Sequence, residues 1–531
     1  MSIKSINPTN TNAWSDLKSH YQKIKDIHLY DMFKSDKSRA SSFSINWNDF
    51  YVDFSKNKIN KKTINLFSNL LEEINFKESI DQYFSGVKIN TTESRAVLHT
   101  ALRAQMSDEI FIDGENIVPT IFDTLEKIKL FSQKVISGSH KGFSGNKITD
   151  VVNIGIGGSD LGPSMVIESL SDYKTDLKIH FVSNVDGDHL NKILNKVKPE
   201  STLFIIVSKT FKTIETLTNA DTARSWFLNY SDEDQLSKHF IAVTGNKNLA
   251  IDFGVDYQNI FPLCDWVGGR FSLWSSVGVS ISLAIGYEKF SELLEGAREM
   301  DIHFKNNDFA VNIPAMLACI TFWYNNFFNY NTHAIIPYSE NLKSFTKYLQ
   351  QASMESNGKQ TDRSGKLVNY QTGEVLWGQT GTNAQHSFFQ LLHQGTKIVP
   401  LDFIGFSNSF CGNQQHHNIL MANFFAQTKA LMMGTYGAKT ETNHKLFKGN
   451  RPTNTILINK LTPKNLGSLI CLYEHKIFSL GILWNINSYD QFGVELGKKL
   501  SKKILEDMKN QNFDNHDSST RNLLNRYFST D

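Results

Sequence analysis

The chain has 531 residues, 40% of them hydrophobic and 20% charged, with a formal net charge of +2. That balance excludes a disordered chain and implies a globular protein of about three folding units at ~150 residues each. Lys and Arg are scattered among Asp and Glu, so no concentrated basic face points to nucleic acid or an anionic membrane, while a small anion needs only local charge. Cys264, Cys319, Cys411 and Cys471 lie far apart without C-x-x-C spacing, as suits reduced thiols. Residues Met1 to Asn10 hold no apolar run fit for a signal peptide, and no uninterrupted apolar stretch approaches the ~20 residues of a spanning helix. A cytoplasmic protein with no membrane or nucleic-acid partner is expected.

Residues 1–116 read as a helical region. Ile64, Leu66, Leu70, Leu71 and Ile74 share one helical face, and Thr92–Arg103 reads as a second helix that groups Val97, Leu98, Ala101 and Leu102. From Val151 short β-rich runs recur at Val151–Ile156, Ile179–Ser183, Leu203–Val207 and Phe240–Val243, separated by helix-length segments such as Asp188–Val197. Buried strands alternating with helices mean βαβ units and a parallel sheet. The rhythm returns with strands at Ala334–Tyr338, Ile398–Phe403 and Thr455–Lys460 and helices at Phe345–Met354, His417–Met433 and Pro463–His475. The expected fold class is α/β: two doubly wound units with parallel-rich sheets, 117–286 and 287–510, behind the helical start. A polar extension over 511–531 is expected to lie on the surface.

Five segments hold residue types suited to chemistry. Gly155 to Pro163 follows a strand directly; its glycines let backbone N–H groups approach an anion, and Pro163 suits the first turn of a helix. Such a turn serves equally as a tight connection, and it lacks both the G-x-G-x-x-G spacing and a G-K-[ST] ending, which disfavours a nucleotide. Ser208 to Thr216 follows the next strand, and the hydroxyls of Ser208, Thr210 and Thr213 at a helix start suit a phosphate cradle or a plain N-cap. In Gln350 to Lys359, Glu355 falls at a helix end, where the dipole disfavours a second negative charge; that placement suits an exposed carboxylate or a base kept basic. His386 sits at the start of an aromatic helix with His393 two turns on, and Lys498 lies in the run from Asn485 to Lys498. Taken singly, His386 and Lys498 read as structural and solvated residues. No zinc-spaced cluster is evident; the adjacent His416 and His417 do not share a helical face.

Together and in this order the five segments resemble the glucose-6-phosphate isomerase (phosphoglucose isomerase) family. The likeness extends to Thr92–Arg103, Asp265–Ser275 and Tyr473–Phe478, with matching segments from about Asn90 to Lys499. It implies two sugar-isomerase-type (SIS) α/β domains, no cofactor and no metal. It also implies a homodimer with a shared active site, and a sugar-phosphate substrate: reversible conversion of glucose 6-phosphate to fructose 6-phosphate, a step of glycolysis and gluconeogenesis. By position, Gly158, Ser159, Ser208, Lys209, Thr210 and Thr213 match phosphate-binding residues, and Gln351 and Gln491 match substrate contacts. Glu355, His386 and Lys498 match catalytic positions and Arg270 the arginine that stabilises the intermediate, with His386 reaching the site of the neighbouring subunit. The chain departs from the motif at Lys212, Asn485 and Phe492, where threonine, an acidic residue and tryptophan are usual; none of these replaces a catalytic group. The rival expectations are a sugar-phosphate-binding module without chemistry and a Schiff-base aldolase using Lys498.

Overall fold

The computed structural model describes residues 2–436 and 442–529; Met1 of the helical start and Thr530 and Asp531 of the expected extension lie outside the described residues. Its strands in chain order are β1 (Ser44–Trp47), β2 (Phe50–Asp53), β3 (Phe111–Ile112), β4 (Glu115–Asn116), β5 (Asp150–Ile154), β6 (Lys178–Val182), β7 (Thr202–Val207), β8 (Phe240–Thr244), β9 (Ile260–Pro262), β10 (Thr332–Pro337), β11 (Val375–Gly378), β12 (Leu401–Asn408) and β13 (Thr453–Lys460).

The first large sheet has the order β6-β5-β7-β8-β9 and is parallel throughout. Every residue of β5, β7 and β8 is buried, because helices cover both faces, and this is why the three strands read as continuous apolar runs. The order reverses between β5 and β7. The crevice outside the carboxyl ends of those two strands is therefore the switch point at which open α/β sheets bind ligands.

The second sheet has the order β1-β2-β13-β12-β10-β11. Its strands β13, β12, β10 and β11 are mutually parallel, and the β1–β2 hairpin adds antiparallel to β13. A central helix, Pro463–Leu483, buried along its length, packs on Tyr287–Asn306 and Ile313–Asn326. It is the one helix among the described residues with the length and apolar composition to cross a membrane, and it lies wholly inside the protein. Its inward Glu474, His475 and Lys476 are paired there with Arg103, Asp301 and Asp402 respectively.

Several expectations need correction. Thr92–Arg103 is not a helix: Asn90 and Arg95 form a bridge, Ser94 takes a positive φ of 56°, and only His99–Arg103 closes into a 3-10 turn. Its apolar spacing reflects burial of Ala96 to Arg103 on every side rather than one amphipathic face. The first hundred residues are not wholly helical, since β1 and β2 complete the second sheet. Strand β12 begins three residues later than expected, and the central helix runs on from His475 to Leu483. Residues 511–529 are mostly exposed, and among them Ser518–Phe528 form a helix that buries Leu524.

The chain passes between two compact units at Ser488–Tyr489. The first holds both large sheets. The second comprises the helices Glu495–Asn510 and Ser518–Phe528, with the rings of Phe513 and Phe528 stacked 5.5 Å apart.

Candidate active site

The two expected anion loops leave the switch-point strands. After β5 the chain makes a 3-10 turn, Gly157–Ser159, and enters the helix Leu161–Ser169 with Pro163 in its first turn. Gly157 has φ +63° and faces the Gln351 amide, whose Nε2 lies 3.1 Å from where a Cβ would sit. At Gly158 a Cβ would fall 1.9 Å from the Gly269 carbonyl oxygen and 2.9 Å from the Arg270 nitrogen. The glycine loop thus lies flat on the turn that carries Arg270.

After β7, the Ser208 hydroxyl donates to Thr213 Oγ1 at 3.2 Å. Thr213 is the N-cap of the helix Ile214–Leu228, yet its side chain caps no backbone N–H, so first-turn donors and the positive end of the helix dipole stay uncapped by a side chain. Thr210 and Lys212 are exposed. The Lys209 ammonium donates to the carbonyls of Asp265 (2.8 Å) and Val267 (3.0 Å), and burial holds its pKa below the ordinary lysine value. It therefore acts as a brace between the Ser208 loop and the Arg270 segment.

Arg270 is the second residue of the 3-10 segment Gly269–Trp274. Its side chain is 3% exposed, and Nη1 lies 3.5 Å from Glu355 Oε1, whose side chain is 20% exposed. Nε donates to Ser356 Oγ at 2.7 Å and Nη2 to the Ser488 carbonyl at 2.6 Å. Gln351 to Glu355 form a π turn that continues the helix Phe345–Gln350 past its expected end at Met354. Such turns rotate successive side chains relative to a regular helix and concentrate at functional sites. Here the turn directs Gln351 at the glycine loop and Glu355 at Arg270.

His386 closes the 3-10 turn Asn383–His386 instead of opening a helix; the helix starts at Phe389. It is exposed and makes no side-chain hydrogen bond or ion pair among the described residues. Its neighbour Gln385 donates to Tyr338 Oη at 2.9 Å. Gln491 and Lys498 belong to the second unit and are exposed, Lys498 in the first turn of its helix. The first unit therefore brings together Gly158, Ser159, Ser208, Lys209, Thr213, Gln351, Glu355 and Arg270. Sequence reasoning missed Ser356, Asn357 and Ser488, although the first two adjoin Glu355 in a segment that carries the resemblance.

Among the described residues, Asp301, Cys471 and His475 could share a cation, their ligand atoms lying within 4.8 Å of one another. Asp301, however, already accepts from Arg103 Nε and Nη2, both at 2.7 Å, and from His475 Nε2 at 2.8 Å. Burial pushes the Cys471 thiol far above its ordinary pKa. The guanidinium supplies the positive charge there, and the trio is a hydrogen-bonded core network.

Two strand-end loops at a switch point, beside a partly open carboxylate facing an enclosed guanidinium, form the layout of an acid–base enzyme for an anionic substrate. The sequence profile of the family described as phosphoglucose isomerase matches residues 53–524. A glucose-6-phosphate isomerase of Christiangramia forsetii is 55% identical over 99% of this chain and 100% of its own length. The crystal structure of a glucose-6-phosphate isomerase from Chlamydia trachomatis superposes with a TM-score of 0.87 at 32% identity, covering 99% of this chain and 100% of that one. A hypothetical protein from Thermus thermophilus shares the fold at TM-score 0.65 and 22% identity, over 86% of this chain and 99% of its own. The chain belongs to the phosphoglucose isomerase family.

Proposed function

We propose that this protein interconverts glucose 6-phosphate and fructose 6-phosphate by proton transfer through a cis-enediol. The observation that carries the reading is the 3.5 Å approach of Arg270 Nη1 to Glu355 Oε1 beside the two switch-point loops. Moving the carbonyl from C1 to C2 requires a proton to leave C2 and return to C1. One carboxylate on one face of the enediol does both, and Glu355 is open enough to reach a ligand. Negative charge gathers on the enediol oxygens as C2 is deprotonated, and Arg270 is the fixed cation beside it. Ser208, Thr210 and Thr213, with the backbone at Gly158 and Ser159, bind the phosphate and so orient the reacting carbons. Gln351 and Gln491 contact the sugar. Because the substrate arrives as a closed ring, a second acid–base group must open it. His386 of a neighbouring subunit, assisted by Lys498, takes that task in a homodimer, which fits its exposure and its lack of side-chain partners among the described residues. No metal or organic cofactor enters any step.

The test is a coupled assay for glucose 6-phosphate formed from fructose 6-phosphate on purified protein, with and without a chelator. Turnover indifferent to the chelator is expected. Binding of the sugar phosphate without turnover would leave a regulatory module, and loss of activity with the chelator would call for a metal-dependent isomerase.

A further inference from the structure

We propose that Ser488 and Asn357 are positioning residues that hold the Arg270 guanidinium in register with Glu355, an inference that rests on the function proposed above. An arginine side chain forfeits ~2 kcal/mol of rotamer entropy when fixed, so a guanidinium useful as a preorganised cation must be restrained by its surroundings. At Arg270 the restraint is explicit. Nε donates to Ser356 Oγ (2.7 Å) and Nη2 to the Ser488 carbonyl (2.6 Å), two charge-assisted bonds that fix the guanidinium plane while Nη1 faces Glu355.

The second acceptor is a backbone oxygen, and its place depends on what holds Ser488. The Ser488 hydroxyl donates to Asn357 Oδ1 at 2.8 Å, and Asn357 Nδ2 donates to the Ile477 carbonyl at 3.1 Å in the central helix. Asn357 is fully enclosed and Ser488 is 5% exposed. In the same helix a Cβ at Gly481 would lie 2.0 Å from Ser488 Oγ, so the glycine is what lets Ser488 settle against the helix. Arg363 secures the intervening loop, its backbone N–H donating to the Asn485 carbonyl and its Nη2 to that of Gly481.

The connections close on themselves. Glu355, Ser356 and Asn357 are consecutive; Glu355 faces Arg270, Ser356 binds it directly, and Asn357 binds it through Ser488. A ring of this kind transmits the rigidity of the central helix to the distance between base and cation. Ser488 is also the last residue of the first unit, so the chain leaves for the unit bearing Gln491 and Lys498 from a point tied to Arg270.

The experiment is a double-mutant cycle of Ser488→Ala and Arg270→Ala, read by kcat, by KM and by two inhibitors. One inhibitor is a hydroxamate of a five-carbon sugar-acid phosphate, whose anionic head copies the enediolate; the other is sorbitol 6-phosphate, which carries the phosphate without that head. Ser488→Ala is expected to lower kcat about 10-fold, a fraction of what full loss of an electrostatic donor costs, with KM within about twofold because the phosphate contacts are remote. It should weaken the hydroxamate by a similar factor, spare sorbitol 6-phosphate, and cost nothing further in the Arg270→Ala background. An equal loss of kcat with and without Arg270, or a wild-type kcat in Ser488→Ala beside an impaired Arg270→Ala, would overturn the inference. A wild-type Arg270→Ala would instead sink the function assigned to that arginine. Should Ser488→Ala fail to fold, Ser356→Ala removes an acceptor of the same guanidinium and is judged by the same outcomes.

Discussion

Arg270 Nη1 and Glu355 Oε1 stand 3.5 Å apart, the guanidinium almost wholly enclosed and the carboxylate one-fifth open. The asymmetry suits the roles proposed for them. A cation that stabilises developing charge gains from low dielectric and fixed direction, whereas a base that carries a proton between two carbons must reach its substrate.

Replacing Glu355 with Gln keeps the side chain's size and removes its basicity. Turnover is expected to fall roughly 10²-fold or more, as for loss of a general base, while the affinity for sorbitol 6-phosphate stays within a few-fold because the strand-end loops are untouched. Steady-state kinetics with calorimetric titration of that ligand check both halves. Normal turnover would remove Glu355 from the mechanism.

Gly158→Ala tests the seating of the glycine loop on the Arg270 turn. A Cβ there meets backbone atoms at 1.9 Å, and backbone does not yield as a flexible side-chain tip does. Overpacking of this kind costs about 1–3 kcal/mol of stability, and because loop and turn are forced apart, kcat/KM should fall more than 10-fold. Gly187→Ala is the control: a Cβ there meets nothing within 4 Å at an ordinary φ. A melting scan and an assay on both variants decide it.

What the sequence made legible follows from which residues carry their own local signal. The strands β5, β7 and β8 are buried on both faces and read as apolar runs, and the loops after β5 and β7 announce themselves by glycine and hydroxyl density. The β1–β2 hairpin gives no such signal, because it is short and its pairing with β13 joins residues some four hundred positions apart. The Thr92–Arg103 error has a related origin: enclosure on all sides imitates a helical stripe. Ser356, Asn357 and Ser488 were invisible as a group because their role exists only once the Arg270 turn, the π turn and the central helix meet. The π turn has no sequence signature either, although it is what aims Gln351 and Glu355.

Arg103 is the charge on which the central helix depends. It binds Asp301 through two nitrogens and Glu474 at 2.9 Å, and its guanidinium stacks 4.7 Å over the Trp274 ring. Glu474 in turn accepts from Trp274 Nε1 at 2.7 Å and faces Tyr348 Oη at 3.4 Å, so it links the Arg270 segment to the helix that leads to Glu355. Arg103→Met would leave two buried carboxylates without their counter-charge, a defect that costs about 3–5 kcal/mol. Glu474→Gln, isosteric and still an acceptor for Trp274, should cost far less, since burial already pushes the Glu474 carboxyl above its ordinary pKa. Urea denaturation of the two variants ranks them, and the reverse order would refute this account.

His303 gives the clearest pH dependence of stability. It is 4% exposed, lies 5.0 Å from the Trp47 ring, and accepts the Ile313 backbone N–H on Nε2 at 3.1 Å, which requires a neutral imidazole at that nitrogen. Burial, reinforced by the nearby His475, lowers its pKa from 6.5 to about 4. Between those values the unfolded chain binds a proton that the folded protein refuses, so stability rises with pH across the window and is lost as pH falls from 6.5 toward 4. At 1.36 kcal/mol per unit the full loss is about 3 kcal/mol. His303→Gln retains an acceptor for Ile313 but does not titrate. The difference in urea midpoint between wild type and variant should therefore move in the variant's favour between pH 7 and pH 4.5. Parallel curves for the two proteins over that range would mean that His303 meets its proton in the folded state as easily as in water.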